Sequence, residues 1–355
     1  PLNQISISQQ PPSLAMADAG QEDEEEAWCW LAAHLAATDL AWLRAHWEAL
    51  RVEEEEGDDP VVPLHELFED GGDNAAGGAR PWEELEAKLA SLSPPGQSAA
   101  VPPRLRSSGR VSLHEVGDLR LATLWGGRRG HGDVLWGAGR YTAEVLAGAA
   151  TAGPSARALE RLLGGRTLDG LRVLELGAGL GLPSWVAAKR GARVVASDLR
   201  DPERLTALAT AAALNTSVEG PPAQVRGHSW GEPCDTLLSA AGGGFDLVLL
   251  CDCLYITELH GQLLASIQAC LAPGGLALVT FALHHEGNEE AIFGFFSLAE
   301  ARGFTASPFE ERQMPVRSEN MPDRRFYVYA RTLTREDSTD GCMHACGMYA
   351  SVCMQ

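Results

Sequence analysis

Val173-Leu174-Glu175-Leu176-Gly177-Ala178-Gly179-Leu180-Gly181 is an apolar run that breaks into a glycine turn, and Asp198 closes the next apolar run. The order is strand, glycine turn, helix, then a strand ending in a carboxylate. That is half of a nucleoside-binding βαβ unit. Glycines let the backbone pass close to a ligand where a Cβ would clash. Asp198 lies about 20 residues past the turn, the distance at which such a unit delivers a carboxylate to a ribose. The spacing also bears on which nucleoside is bound. A dinucleotide fingerprint, G-x-G-x-x-G, needs a third glycine at position 182, and Leu182 stands there. A nicotinamide-dependent oxidoreductase is therefore disfavoured. Glycines 177, 179 and 181 form G-x-G-x-G instead.

Outward from this unit, the elements alternate. Strands are predicted over 111–116 and 119–124 as a hairpin, then over 171–177, 193–198, 223–228, 245–251, 276–282, 304–310 and 325–331. Helices are predicted over 141–149, 183–190, 202–215, 258–271 and 288–302, with a short one over 233–240. Pro183 suits a first helical turn, and Pro273-Gly274-Gly275 reads as a helix stop. Segment 245–251 is almost wholly apolar, as a strand covered on both faces should be. The pattern describes a doubly wound α/β fold with a mostly parallel seven-stranded sheet and an antiparallel final strand. It occupies residues 101–335.

The first hundred residues differ in kind. Residues 1–21 are polar and aperiodic, which predicts disorder. Residues 22–56 read as helix: Leu40, Leu43, Trp47 and Leu50 recur at three- and four-residue steps, and Trp28, Leu31 and Leu35 begin a similar stripe. The acidic run at 22–26 suits a helix start. A second helix over 82–92 places Leu85, Leu89 and Leu92 on one face. Segments 71–80 and 93–108 read as linkers, and 336–355 as a tail. Residues 22–100 thus form an acidic helical extension, which packs on the core or binds a partner.

The net charge of -20 follows this division: -17 over residues 1–100, zero over 101–335 and -3 over 336–355. An acidic arm on a neutral core repels nucleic-acid backbone and anionic membrane surface, so neither is an expected partner. The eight cysteines show no metal-ligand spacing apart from a loose Cys342, His344, Cys346, Cys353 group in the tail, and no metal site is expected. Without a signal-like start or a membrane-length apolar stretch, the expected location is the reducing cytoplasm.

Ligands of open α/β sheets sit beyond the carboxyl ends of the strands. Four predicted strand ends carry chemistry there. The first is the glycine loop. The second is Asp198, whose carboxylate can accept from two ribose hydroxyls. The third leads to Trp230, whose indole can wall an adenine pocket. The fourth gives Asp252-Cys253-Leu254-Tyr255, with the backbone of Cys251 bordering the same place. Each residue has a plainer reading: Asp198 and Asp252 as helix caps, Trp136 and Trp230 as core, Cys251 and Cys253 as small buried hydrophobes. Their joint placement at successive strand ends favours the site.

The loop Glu175-Leu176-Gly177-Ala178-Gly179-Leu180-Gly181 resembles the first motif of S-adenosylmethionine methyltransferases of seven-stranded type. Residues 110–332 resemble the lysine methyltransferase-like family, methyltransferase family 16. Leu135-Trp136, Ser197-Asp198-Leu199, Asn215, Ser229-Trp230-Gly231 and the tetrad Asp252 to Tyr255 carry that likeness. The resemblance implies S-adenosylmethionine as cofactor, contacted by Trp136, Glu175, Gly177, Gly179, Gly181, Asp198, Trp230 and Cys251. It implies that Asp252 and Tyr255 lie beside the acceptor amine. The segment 135–143, with Thr280-Phe281 and His284-His285, is similar to the fungal nicotinamide N-methyltransferase-like branch, which includes enzymes acting on elongation factor 1A. That branch usually lacks the tetrad, which stands here.

The expected activity is methyl transfer to a lysine or N-terminal amine of a protein, with a translation factor as one such partner. A small-molecule N-methyltransferase keeps the same fold, and a non-catalytic S-adenosylmethionine-binding adaptor keeps the same site. The sequence does not set the oligomeric state.

Overall fold

The computed structural model describes residues 32–46, 111–116, 119–124, 135–150, 152–215, 222–284, 287–314 and 326–335, with positions 85, 88, 89, 91 and 132. The expected disordered start, the linkers, the tail with its cysteines, and Trp28, Leu31, Trp47, Leu50, Leu92 and His285 fall outside the described residues.

Among the described residues the named elements begin with helix α1 (Ala37–His46), then β1 (Val111–Val116), β2 (Leu119–Leu124), α2 (Gly137–Ala147) and α3 (Pro154–Leu163). The nucleoside-type unit follows as β3 (Arg172–Leu176), α4 (Leu182–Lys189), β4 (Arg193–Asp198), α5 (Pro202–Asn215) and β5 (Gln224–Gly227). Next come α6 (Asp235–Ala241), β6 (Phe245–Cys251), a 3₁₀ turn (Thr257–Leu259), α7 (His260–Cys270) and β7 (Leu271–Ala282). Helix α8 (Glu289–Ala301), β8 (Phe304–Ala306), β9 (Glu310–Met314) and β10 (Phe326–Arg335) complete it.

The main sheet runs β5-β4-β3-β6-β7-β10-β8. Strands β3 to β7 pair in parallel, and β10 is antiparallel to β7. From β3 the chain winds outward through β4 and β5, then returns to build β6 and β7 on the other side. The switch in direction lies between β3 and β6, and in such sheets that is where a cleft opens. Strand β6 shows how the layers form. Leu247 and Leu249 point into the core beneath α2, α4 and α5, and Val248 and Leu250 into the core beneath α7 and α8, which Phe245 joins from across a register irregularity that separates it from Leu247. Period-two alternation with both faces apolar produces the continuous hydrophobic run.

Four details depart from the sequence reading. The sheet has eight strands rather than seven, because the expected strand 304–310 is broken. β8 and β9 pair in tandem along the same edge of β10, with β9 opposite Phe326–Ala330 and β8 opposite Leu333–Arg335. Helix α3 was not anticipated, although Gly153-Pro154 at its start and left-handed Gly164 at its end mark it. Helix α2 starts at Gly137 with Trp136 as its cap, four residues earlier than expected. Two glycines in its first turn weaken the local helix signal there. Strand β7 starts at Leu271 and takes in Pro273-Gly274-Gly275, with a register irregularity opposite Phe245 and Leu247.

The acidic extension packs on the core. Val225 N–H donates to the His34 carbonyl at 2.7 Å, and Leu35 bridges Val225 in parallel, so the segment before α1 lies along the β5 edge. Asp39 is buried and accepts from Gly227 N at 3.2 Å and Arg200 Nε at 3.1 Å. Leu43, Leu85 and Leu89 are fully buried in the same core.

Candidate active site

A cavity of about 510 Å³ opens beyond the carboxyl ends of β3, β4 and β6. All ten residues singled out from sequence line it: Trp136, Glu175, Gly177, Gly179, Gly181, Asp198, Trp230, Cys251, Asp252 and Tyr255. Leu135, Leu180, Ile256 and Leu259 add apolar wall, and Leu199 and Tyr255 stand exposed.

The glycine loop is left-handed at all three glycines, with φ of 71° at Gly177, 53° at Gly179 and 72° at Gly181. The sequence reading reserved their missing side chains for a ligand. The structure adds a second reason. A Cβ at Gly177 would sit 2.8 Å from Cys253 Sγ, one at Gly179 3.2 Å from the Gly132 carbonyl oxygen, and one at Gly181 2.8 Å from the Trp185 ring. Protein packing and backbone conformation already demand glycine here.

Two carboxylates hold this loop in shape, Asp198 part-buried and Glu175 buried. Asp198 Oδ2 accepts from Gly179 N at 2.7 Å and Oδ1 from Leu199 N at 2.8 Å. Burial pushes its pKa above the ordinary carboxylate range, while Arg204 and those two N–H groups pull it back. Each carboxylate oxygen keeps a further lone pair for a hydroxyl. Glu175 is 1% exposed, and its Oε2 accepts from Ser184 N at 3.1 Å and from Ser184 Oγ at 2.5 Å. Burial pushes it up to about 8, against the lowering effect of the Ser184 donors. It thus ties the start of α4 to the end of β3. Trp230 lays its ring edge over Gly177, and Gly231 N and His228 Nε2 both reach Ser266 Oγ, at 2.9 and 3.0 Å. Cys251 Sγ turns to Thr142 Oγ1 at 3.4 Å, and burial raises its pKa well above the ordinary thiol value.

Asp252 is the only non-glycine residue with positive φ among the described residues, at 57°. Aspartate tolerates this region better than most residues, yet it persists only where the surroundings impose it. They do: Asp252 N donates to the Thr280 carbonyl at 2.8 Å, and Oδ1 accepts from Ala282 N at 2.8 Å. His284 Nε2 lies 3.0 Å from the same oxygen. Oδ2 is buried and has no hydrogen-bond partner among the described residues. Tyr255, 40% exposed, stands at the rim, its pKa raised by burial of the remainder.

A family model described as lysine methyltransferase matches residues 117–301, just over half of the chain. The chain belongs to the lysine methyltransferase family. The relatives it matches include the protein N-terminal and lysine N-methyltransferase efm7 of Aspergillus fumigatus, 31% identical over 54% of this chain and 72% of that protein. The similarly named protein of Eremothecium gossypii is 32% identical over 65% of this chain and 80% of its own length.

The family's methyl donor is S-adenosylmethionine, and the donor set of this cavity fits it. Asp198 could offer acceptors for the ribose hydroxyls, and Trp230 and Leu199 an aromatic and aliphatic wall for the base. The sequence reading did not assign roles to Ser184, Arg204 or His228. Ser184 matters through Glu175 within the same βαβ unit, whereas Arg204 Nη1 donates to the Gly132 carbonyl at 2.6 Å from a distant segment. His284 was noted only within a family likeness.

Proposed function

We propose that this protein transfers a methyl group from S-adenosylmethionine to an amine of a protein substrate, a lysine side chain or a chain N-terminus. The observation that carries the reading is Asp252, a 7% exposed carboxylate with one oxygen anchored and the other without a partner, on the wall of the cavity. When bound, S-adenosylmethionine supplies an already activated methyl on a sulfonium. The chain's task is then to place the acceptor, exclude water and favour the neutral amine. A lysine amine is mostly protonated near neutral pH, since its ordinary pKa is about 10.4. Asp252 Oδ2 receives that cation. The apolar wall of Leu135, Leu180, Ile256 and Leu259 disfavours the charged form once the amine is enclosed. Tyr255 at the rim orients the nitrogen. Leu199, 62% exposed and part of the same lining, gives the mouth an apolar lip suited to a side chain carried by another protein.

The names of the efm7 relatives support a protein amine as acceptor. The likeness to enzymes acting on elongation factor 1A supports a translation factor as the specific substrate. We place the activity in the cytoplasm, where the four free cysteines among the described residues stay reduced.

Incubating the protein with labelled S-adenosylmethionine and a cell lysate tests the reading. Label in a protein band, with mass spectrometry locating one added CH₂ per methyl on an amine, is the expected result. Label confined to small molecules makes it a metabolite methyltransferase. Binding of the donor without any labelled product makes it an adaptor.

A further inference from the structure

We propose that His284 is a positioning residue for methyl transfer: it grips Oδ1 of Asp252 so that Oδ2 is presented bare to the acceptor amine. The inference rests on the N-methyltransferase reading above and deepens it. Asp252 Oδ1 receives two donors from different directions, Ala282 N at 2.8 Å and His284 Nε2 at 3.0 Å. A single backbone donor fixes one oxygen but leaves the carboxylate plane to swing, because rotation about that bond is broad and nearly two-fold. The second donor fixes the plane. Oδ2 is left buried and without a partner in a side chain only 5% exposed.

The histidine itself does not line the cavity. Its side chain is 12% exposed. Its ring meets Trp136 edge-on, with centroids 4.6 Å apart and planes at 62°. Trp136 does line the cavity. One imidazole thus braces two wall residues that come from different elements, the start of α2 and the end of β6. The arrangement requires Nε2 to carry the proton, since an ionised carboxylate oxygen only accepts.

The test uses the full chain, labelled S-adenosylmethionine as donor and total lysate protein as acceptor. His284→Leu fills the space without a donor, and His284→Gln restores an N–H at the position of Nε2. Three quantities are read for each: initial rate of methyl transfer, donor affinity by calorimetry, and melting temperature. His284→Leu is expected to lose at least tenfold in rate, with donor affinity within about threefold of the parent and an unchanged melt; His284→Gln recovers most of the rate. Nitrogen-15 NMR of the parent is expected to show a slowly exchanging Nε2–H that disappears in Asp252→Ala. Equal rates in His284→Leu and the parent overturn the proposal. So does a His284→Gln as slow as His284→Leu, or a His284→Leu that loses donor affinity and melts early, which marks a merely structural role. A parent that labels nothing overturns the methyltransferase reading itself, and the NMR signal then separates loss of transfer from loss of the grip on Asp252.

Discussion

Asp252 is held in a backbone region that costs of order 1–3 kcal/mol, and its three hydrogen bonds to Thr280, Ala282 and His284 keep it there. Asparagine tolerates the same conformation and keeps an acceptor for Ala282 N. Asp252→Asn should therefore fold normally, bind S-adenosylmethionine within a few-fold of the parent, and lose the charge that holds an ammonium. A hydrogen bond to a charged group contributes roughly 1.5–3 kcal/mol, so kcat should fall roughly 10- to 100-fold. Steady-state rates on a methylated protein band check this, and unchanged turnover removes the role assigned to Asp252. Glu175 makes a different prediction. Burial raises it from the ordinary 4.5 to about 8 in the fold. Between those values the folded chain binds more protons than the unfolded one, so stability falls as pH rises. Its contribution is complete below about 4.5 and lost by the time the pH has passed about 8. Glu175→Gln keeps an acceptor for Ser184 and carries no titration. Thermal melts from pH 5 to 8 should show the parent losing stability across the range and the variant losing less. Parallel curves would mean that Glu175 is ionised in the fold.

The turn between β3 and α4 shows why a motif can be legible while its reason is not. The glycine spacing, with Asp198, was readable from sequence because it is local to one βαβ unit. The packing reason at Gly177 and Gly179 was not, because Cys253, Trp230 and Gly132 come from distant segments. Gly181→Ala places a Cβ 2.8 Å from the Trp185 ring, which is fully buried and pinned by Nε1–H donating to the Leu180 carbonyl at 2.9 Å. Gly164→Ala is also left-handed, with φ of 56°, but meets open space. The first should cost at least about 2 kcal/mol and the second roughly 1 kcal/mol, the conformational penalty alone. Urea unfolding without any cofactor measures both. Equal losses would remove the packing reason at Gly181 and leave ligand clearance there. The broken edge strand was hidden for the same reason. Ser307 N donates to the Thr332 carbonyl, and Thr332 N to Ser307 Oγ, both at 2.9 Å, across 25 residues of sequence. Local alternation cannot register a bend held from that far away.

At the scale of the whole molecule, the parallel sheet was legible because its apolar runs are strong and regularly spaced. The attachment of the N-terminal extension was not, because a helical stripe shows that a face is apolar without showing what it covers. The charge division, with -17 in the first hundred residues, reads as an appendage. The structure makes part of that segment core. Leu35, Leu43, Leu85 and Leu89 are each 5% exposed or less. Burying a leucine contributes roughly 1.5–3 kcal/mol, so the four together rival the net stability of an ordinary domain, about 5–15 kcal/mol. The segment also covers β5, the last strand of its sheet, whose Val225 N–H would otherwise face solvent. An uncovered edge is a template for pairing with another chain. A protein starting at residue 101 should therefore melt well below the full chain and self-associate. Differential scanning calorimetry and light scattering read the two effects separately. Leu43→Ala in the full chain isolates the packing contribution, with an expected loss of about 2–5 kcal/mol and no association. A shortened chain that stays monomeric with the parent's melting temperature would show the extension to be the solvated arm that its charge describes.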